Sequence, residues 1–148
     1  MSTNTQQPLI ATVTRQFRVP AERVFDAWLD PALAGKWLFT DGEGELVRVE
    51  IDPRVGGAYC FTDRRAEGDI DHVGEYLEID RPRRLVFTLK VPLYSQDADT
   101  VAVDIVPLAS GCELTITHAM SAENAEWLEP TTQGWAKLLD VLEARLDG

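Results

Sequence analysis

Hydrophobic positions along this chain follow two periods, and the change between them divides it. From Leu9 to Val19 they alternate: Leu9, Ala11, Val13, Phe17 and Val19 share one side with Arg15, while Ile10, Thr12, Thr14 and Gln16 take the other. This predicts a strand with one apolar face. Pro20 ends it and suits a first helical position. Val24, Ala27 and Trp28 then fall at helical spacing within Ala21 to Leu29, and Asp30-Pro31 restarts a second short helix expected to reach about Leu38.

Alternation resumes over Glu45 to Ile51, stopped by Asp52-Pro53, with Gly56-Gly57 marking a tight turn or bulge. Further strands are expected over Ala58 to Arg64, Asp69 to Ile79 and Leu85 to Val91, the last two separated by Arg81-Pro82. Thr100 to Val106 and Glu113 to Ala119 form a final pair around Ala109-Ser110-Gly111. The period then becomes helical: Trp135, Leu138, Leu139, Leu142 and Leu146 line one side, with Lys137, Asp140, Glu143 and Arg145 opposite. The main helix is expected from about Pro130 to Asp147, after a looser turn at Glu123 to Leu128 and before Gly148 as terminator. Together these elements predict an α+β domain over residues 9–148, preceded by a disordered tail over 1–8. An antiparallel sheet of six or seven strands wraps around one long helix. A lone helix under so wide a sheet leaves an apolar cavity.

Strand parity nominates the lining of that cavity. Leu114, Ile116, His118 and Met120 share one face, as do Tyr59, Phe61 and Asp63, and Leu85, Phe87 and Leu89. Between Asp69 and Ile79, His72, Gly74 and Tyr76 oppose Val73, Leu77 and Ile79, and a bulge at Gly74 would let both sets contribute. His72 and Tyr76 are the inward pair in this reading. Val103, Trp135 and Leu138 complete the wall, and Trp37 and Trp127, near helix ends, stand at the expected mouth, where an indole suits a flat ligand.

Composition narrows the function classes. The net charge is −11, from 25 acids and 14 bases, which opposes nucleic acid and anionic lipid surfaces. The basic clusters Arg64-Arg65 and Arg81 with Arg83-Arg84 sit beside turn signals and read as solvated charge. No apolar run approaches the ~18 residues of a bilayer span. Met1 to Pro8 lacks the pattern of a secretory signal, so a cytoplasmic location is expected. Cys60 and Cys112 read as reduced core thiols.

Several stretches resemble a known family. Val19-Pro20-Ala21-Glu22-Arg23-Val24-Phe25-Asp26-Ala27-Trp28, through Asp30-Pro31 to Lys36-Trp37, looks like the first strand and paired helices of the START-like (SRPBCC) superfamily. Asp52-Pro53-Arg54-Val55-Gly56-Gly57, Gly74-Glu75-Tyr76-Leu77-Glu78-Ile79 with Arg83 to Leu89, and Leu114-Thr115-Ile116-Thr117-His118 with Gly134-Trp135 and Leu138-Leu139 are similar to its branch named after the activator of the heat-shock-protein-90 ATPase. The sequence departs from the pattern at Arg83, where a second proline is frequent, and at Leu89, where a tryptophan is common. The resemblance implies a helix-grip fold around a hydrophobic pocket, a chaperone ATPase as one partner, and cyclase, isomerase or hydrolase chemistry in some members.

The chemistry-bearing residues are few. His118 or His72 could serve as general base, Tyr59 or Tyr76 could polarise a carbonyl, and Asp63 could orient an imidazole. The plainer reading makes His118 a pocket-capping residue that hydrogen-bonds its neighbours, and it is preferred here. His72, His118, Cys60 and Cys112 have no ligand spacing, no GxSxG elbow occurs, and Gly42-Glu43-Gly44 lacks the lysine of a phosphate loop. The expected function is therefore binding of a small apolar or amphipathic molecule by a monomer or homodimer. No cofactor, metal, nucleic acid or membrane insertion is expected.

Overall fold

A computed structural model describes residues 8–39, 45–65, 68–93 and 98–147. The expected tail, apart from Pro8, together with Gly42-Glu43-Gly44 and Gly148, lies outside them. The element order is β1 (Leu9–Phe17), α1 (Ala21–Leu29), α2 (Pro31–Ala34), β2 (Glu45–Ile51), β3 (Ala58–Arg65), β4 (Gly68–Asp80), β5 (Arg84–Leu89), β6 (Asp99–Leu108), β7 (Gly111–Met120) and α3 (Leu128–Asp147), with a 3-10 turn at Ala122–Trp127 before α3. All seven strands form one antiparallel sheet in the order β1-β7-β6-β5-β4-β3-β2. The curved sheet holds α3 in a helix grip. Among the described residues, no helix is long and apolar enough to cross a membrane.

The helical pair after β1 is shorter than expected. Asp30 closes α1 and caps α2, accepting from the Ala32 amide at 3.0 Å, with Pro31 in the first turn. The expected continuation to Leu38 instead becomes irregular turns after Ala34. Trp37, Leu38 and Phe39 are all buried. Three consecutive residues span about 200° of a helix surface, so no continued helix could turn all three to one side.

Gly56-Gly57 forms the expected tight turn. Gly56 has φ 85°, and a Cβ on Gly57 would lie 2.2 Å from the Asp52 carbonyl oxygen. The turn docks onto β4: the Gly56 amide donates to the Tyr76 carbonyl at 2.8 Å, and the Tyr76 amide donates to the Gly57 carbonyl at 2.9 Å. The bulge expected at Gly74 lies further on, between Tyr76 and Glu78. It puts Leu77 outside and lets Tyr76 and Ile79 both meet the core. Gly74 has another use. Without a side chain there, Tyr59 on β3 crosses β4 and its hydroxyl donates to the Thr88 carbonyl on β5 at 2.6 Å.

Arg15, on the inward side of β1, finds its counter-charges on α3, at 2.8 Å from Asp140 and 3.0 Å from Glu143. Arg81, in the β4–β5 turn, donates two hydrogen bonds to Asp26 on α1, at 2.7 and 2.9 Å.

Gly74→Ala would bring a Cβ to 1.9 Å from the Thr88 oxygen. Chemical denaturation should show a loss of about 1–3 kcal/mol or more. Gly134→Ala, where nothing lies within 4 Å on exposed α3, should instead stabilise by about 0.5–1 kcal/mol. Asp26 titrates below the usual carboxylate range because Arg81 hydrogen-bonds its ionised form. A depressed folded pKa means that the pair's contribution is full above 3.8 and fades as pH falls below it. With both side chains about half exposed, Asp26→Asn should cost about 0.2–1 kcal/mol at neutral pH and less at pH ~2 when melting curves are compared.

Candidate functional site

The space between sheet and helices is an aromatic interior. Its central void is bordered by Tyr59 and Phe61 from β3, Tyr76 from β4 and Phe87 from β5, four of the residues nominated by strand parity. Leu85 from β5, which shares the parity of Phe87, also borders it; Trp28, Leu38 and Phe39 complete the border, and none of these three is a parity candidate. The void offers about 10 Å³ to the centre of a water, the room of roughly one water molecule. The cavity expected beneath a lone helix is therefore nearly filled. That expectation treated α3 as the sole cover, whereas α1 and the turn at 35–39 bring Trp28, Trp37, Leu38 and Phe39 under the sheet.

Phe39 is buried among these rings. Its ring lies parallel to that of His72 at 4.8 Å and to that of Tyr59 at 6.1 Å, and meets Phe61 edge-on at 5.3 Å. Its backbone is left-handed, φ 61°. For a residue with a Cβ this costs about 1–2 kcal/mol. Burial of the ring contributes about 1.5–3 kcal/mol, and each aromatic pair about 0.5–1.5 kcal/mol more, enough to hold it there.

Three indoles lie close together and are treated differently. Trp37 meets Trp28 edge-on at 4.7 Å and donates its Nε1–H to the Ala27 carbonyl at 2.9 Å, which makes it a fixed part of the core rather than a mouth residue. Trp135 on α3 donates Nε1–H to Nδ1 of His118 at 2.9 Å. The Nε1–H of Trp28, only 1% exposed, has no hydrogen-bond partner among the described residues.

His118 is fully engaged. Its Nδ1 accepts from Trp135, so Nε2 carries the proton and donates to Asp99 Oδ2 at 2.9 Å. The chain Trp135–His118–Asp99 thus ties α3 to β7 and β6 and leaves no ring nitrogen over for a substrate. Asp99 was not anticipated, although a signal for it existed. The turn at 109–111 sets Val101 opposite His118, and Asp99 shares the inward parity of Val101 and Val103.

The remaining nominated residues scatter around this centre. His72 is half-buried against Phe39, apart from the His118 chain. Val103 and Met120 are buried without bordering the void, while Leu89 and Leu138 pack at the core's margin. Trp127 is 56% exposed on the 3-10 turn and does not border this void. Asp63 is buried on β3 opposite Ile70. Burial pushes both phenols up: Tyr59 and Tyr76 titrate well above the usual tyrosine value, so they remain protonated donors at neutral pH. Among the described residues, no group of three or more His, Cys, Asp or Glu is placed to hold a metal ion. His118→Ala removes a partner from both Trp135 and Asp99, and urea unfolding should show a loss of about 1–3 kcal/mol, with altered Trp135 fluorescence.

Similar proteins match this geometry. A crystal structure of a Chromobacterium violaceum protein superposes with TM-score 0.83 at 27% identity, covering 94% of this chain and 97% of its own. The solution structure of an AHSA1-like protein from Aeromonas hydrophila gives TM-score 0.80 at 20% identity, covering 94% and 92%. A crystal structure from Rhodobacter sphaeroides gives 0.82 at 20% identity, covering 93% and 91%. No curated protein matches the chain significantly. The sequence profile of the family described as "Activator of Hsp90 ATPase homolog 1-like protein" matches residues 18–147. With its profile spanning nearly the whole described fold, the chain belongs to this family.

Proposed function

We propose that this domain binds a small apolar or amphipathic molecule in its aromatic interior, as a cytoplasmic monomer or homodimer. The observation that carries this reading is the convergence of rings from α1, the 35–39 turn, β3, β4 and β5 on one void bordered by Trp28, whose buried N–H has no partner among the described residues. A core with no ligand to receive has little reason to leave a buried donor unpaired, at a cost of about 1–3 kcal/mol. Apolar burial at ~25 cal/mol per Å² would supply affinity, and the few polar atoms would fix orientation. Catalysis by the nominated histidines and tyrosines has less support, because His118 is committed on both nitrogens and the Tyr59 hydroxyl already donates to the Thr88 carbonyl. A second reading takes a chaperone ATPase as partner, favoured by the family description and by the exposed indole of Trp127.

Native mass spectrometry of the purified protein, followed by thermal shift against neutral aromatics and lipids, should reveal a retained mass or a stabilisation of a few degrees confined to one class. Absence of both would sink the binding reading. Capture of a chaperone ATPase that weakens in Trp127→Ala would then support the second.

A further inference from the structure

Two unusual features of the interior border the same void. Phe39 holds a backbone conformation that residues with a Cβ seldom adopt, and Trp28 keeps a buried N–H unpaired among the described residues. We infer that Phe39 is a displaceable internal plug, and that the ligand is a neutral molecule with one aromatic ring and one acceptor oxygen. The ligand ring takes the Phe39 seat against His72 and Tyr59, and its oxygen accepts from Trp28 Nε1–H. This inference rests on the binding reading above and specifies its ligand.

The chemistry follows from the lining. None of the residues bordering the void carries a charge, so an ionised ligand would be buried without a counter-ion. The Tyr59 hydroxyl already spends its proton on the Thr88 carbonyl, and the indoles of Trp37 and Trp135 on Ala27 and His118. Among the residues bordering the void, Trp28 is the one whose buried side-chain donor has no partner among the described residues. Size follows from volume: a void of about one water plus the space vacated by a benzyl group admits one six-membered ring with a small oxygen-bearing substituent. Leaving the pocket also releases Phe39 from its left-handed backbone, which lowers the cost of opening.

Acetophenone is a suitable probe, with ethylbenzene as its near-isostere lacking the oxygen. The chain has five phenylalanines, so fluorine-labelled phenylalanine gives a resolvable NMR spectrum, with Phe39 assigned by its loss in Phe39→Leu. Acetophenone should move the Phe39 resonance of the wild-type protein far more than those of Phe17 and Phe25. It should bind about tenfold more tightly than ethylbenzene, because only it pairs the buried donor. Trp28→Phe should abolish that preference. Phe39→Gly, which suits a left-handed backbone, should bind acetophenone about tenfold more tightly than wild type by removing the competing ring. Binding that leaves the Phe39 resonance in place would overturn the plug, as would binding to Phe39→Gly with none to wild type. Equal affinity for the two probes in wild type would overturn the role of Trp28. Stabilisation by a lipid with no response to acetophenone would overturn this inference and leave the binding reading standing, whereas no binding of any kind would remove both.

Discussion

A seven-stranded sheet presents far more apolar face than one helix can keep dry. At ~4.8 Å between strands the sheet is about 30 Å across, while a helix with its side chains is about 10–12 Å wide. Curling the sheet narrows the gap without closing it. The rest is covered by α1 and by the turn after α2, which drives Trp37, Leu38 and Phe39 inward together. Large rings suit this task, since each closes much area at little conformational cost. The aromatic density of the interior is thus a consequence of architecture before it is a device for binding.

Within so apolar a space, polar groups stand where they join elements. The Trp135–His118–Asp99 chain crosses from α3 through β7 to β6, and in a low dielectric each of its bonds is stronger than it would be in water. Arg15 meets two acids of α3 at the helix's outer margin, where the weaker, solvent-screened form of the same attraction operates. The helix is therefore held at both levels, by a dry link beneath and wet links at the rim. Trp28 stands apart as the one indole of this interior whose donor joins nothing described.

Much of this was legible in the sequence. Alternation in Gly111–Met120 and Ala58–Arg65 identified the inward residues correctly, because period-two parity depends on local backbone geometry alone. Asp30-Pro31 and Gly56-Gly57 announced a helix restart and a tight turn through intrinsic conformational preference. Phe39 carried no such signal: it lies in no periodic stretch, and its inward position is decided by tertiary packing that overrides backbone preference. Parity between Asp69 and Ile79 is ambiguous, and a bulge at Gly74 would reconcile its two sets, but the bulge lies between Tyr76 and Glu78. That glycine instead admits a neighbour's side chain, a use that depends on strand order across the sheet. Trp127 was misplaced because position near a helix end does not say which way the residue faces.

The reach of Tyr59 over Gly74 has a bearing on how the sheet comes apart. β2 is an edge strand, and β2 and β3 would ordinarily be the first pair to fray, opening strand by strand toward the centre. Tyr59 anchors β3 not to its neighbour but to the strand beyond it. Peeling β3 away must break that bond and drag a buried aromatic ring out from beneath β4, so partial opening gains little solvent freedom before it exposes the core. The edge hairpin is thereby coupled to the middle of the sheet, and local fluctuation there becomes a cooperative event shared by three strands.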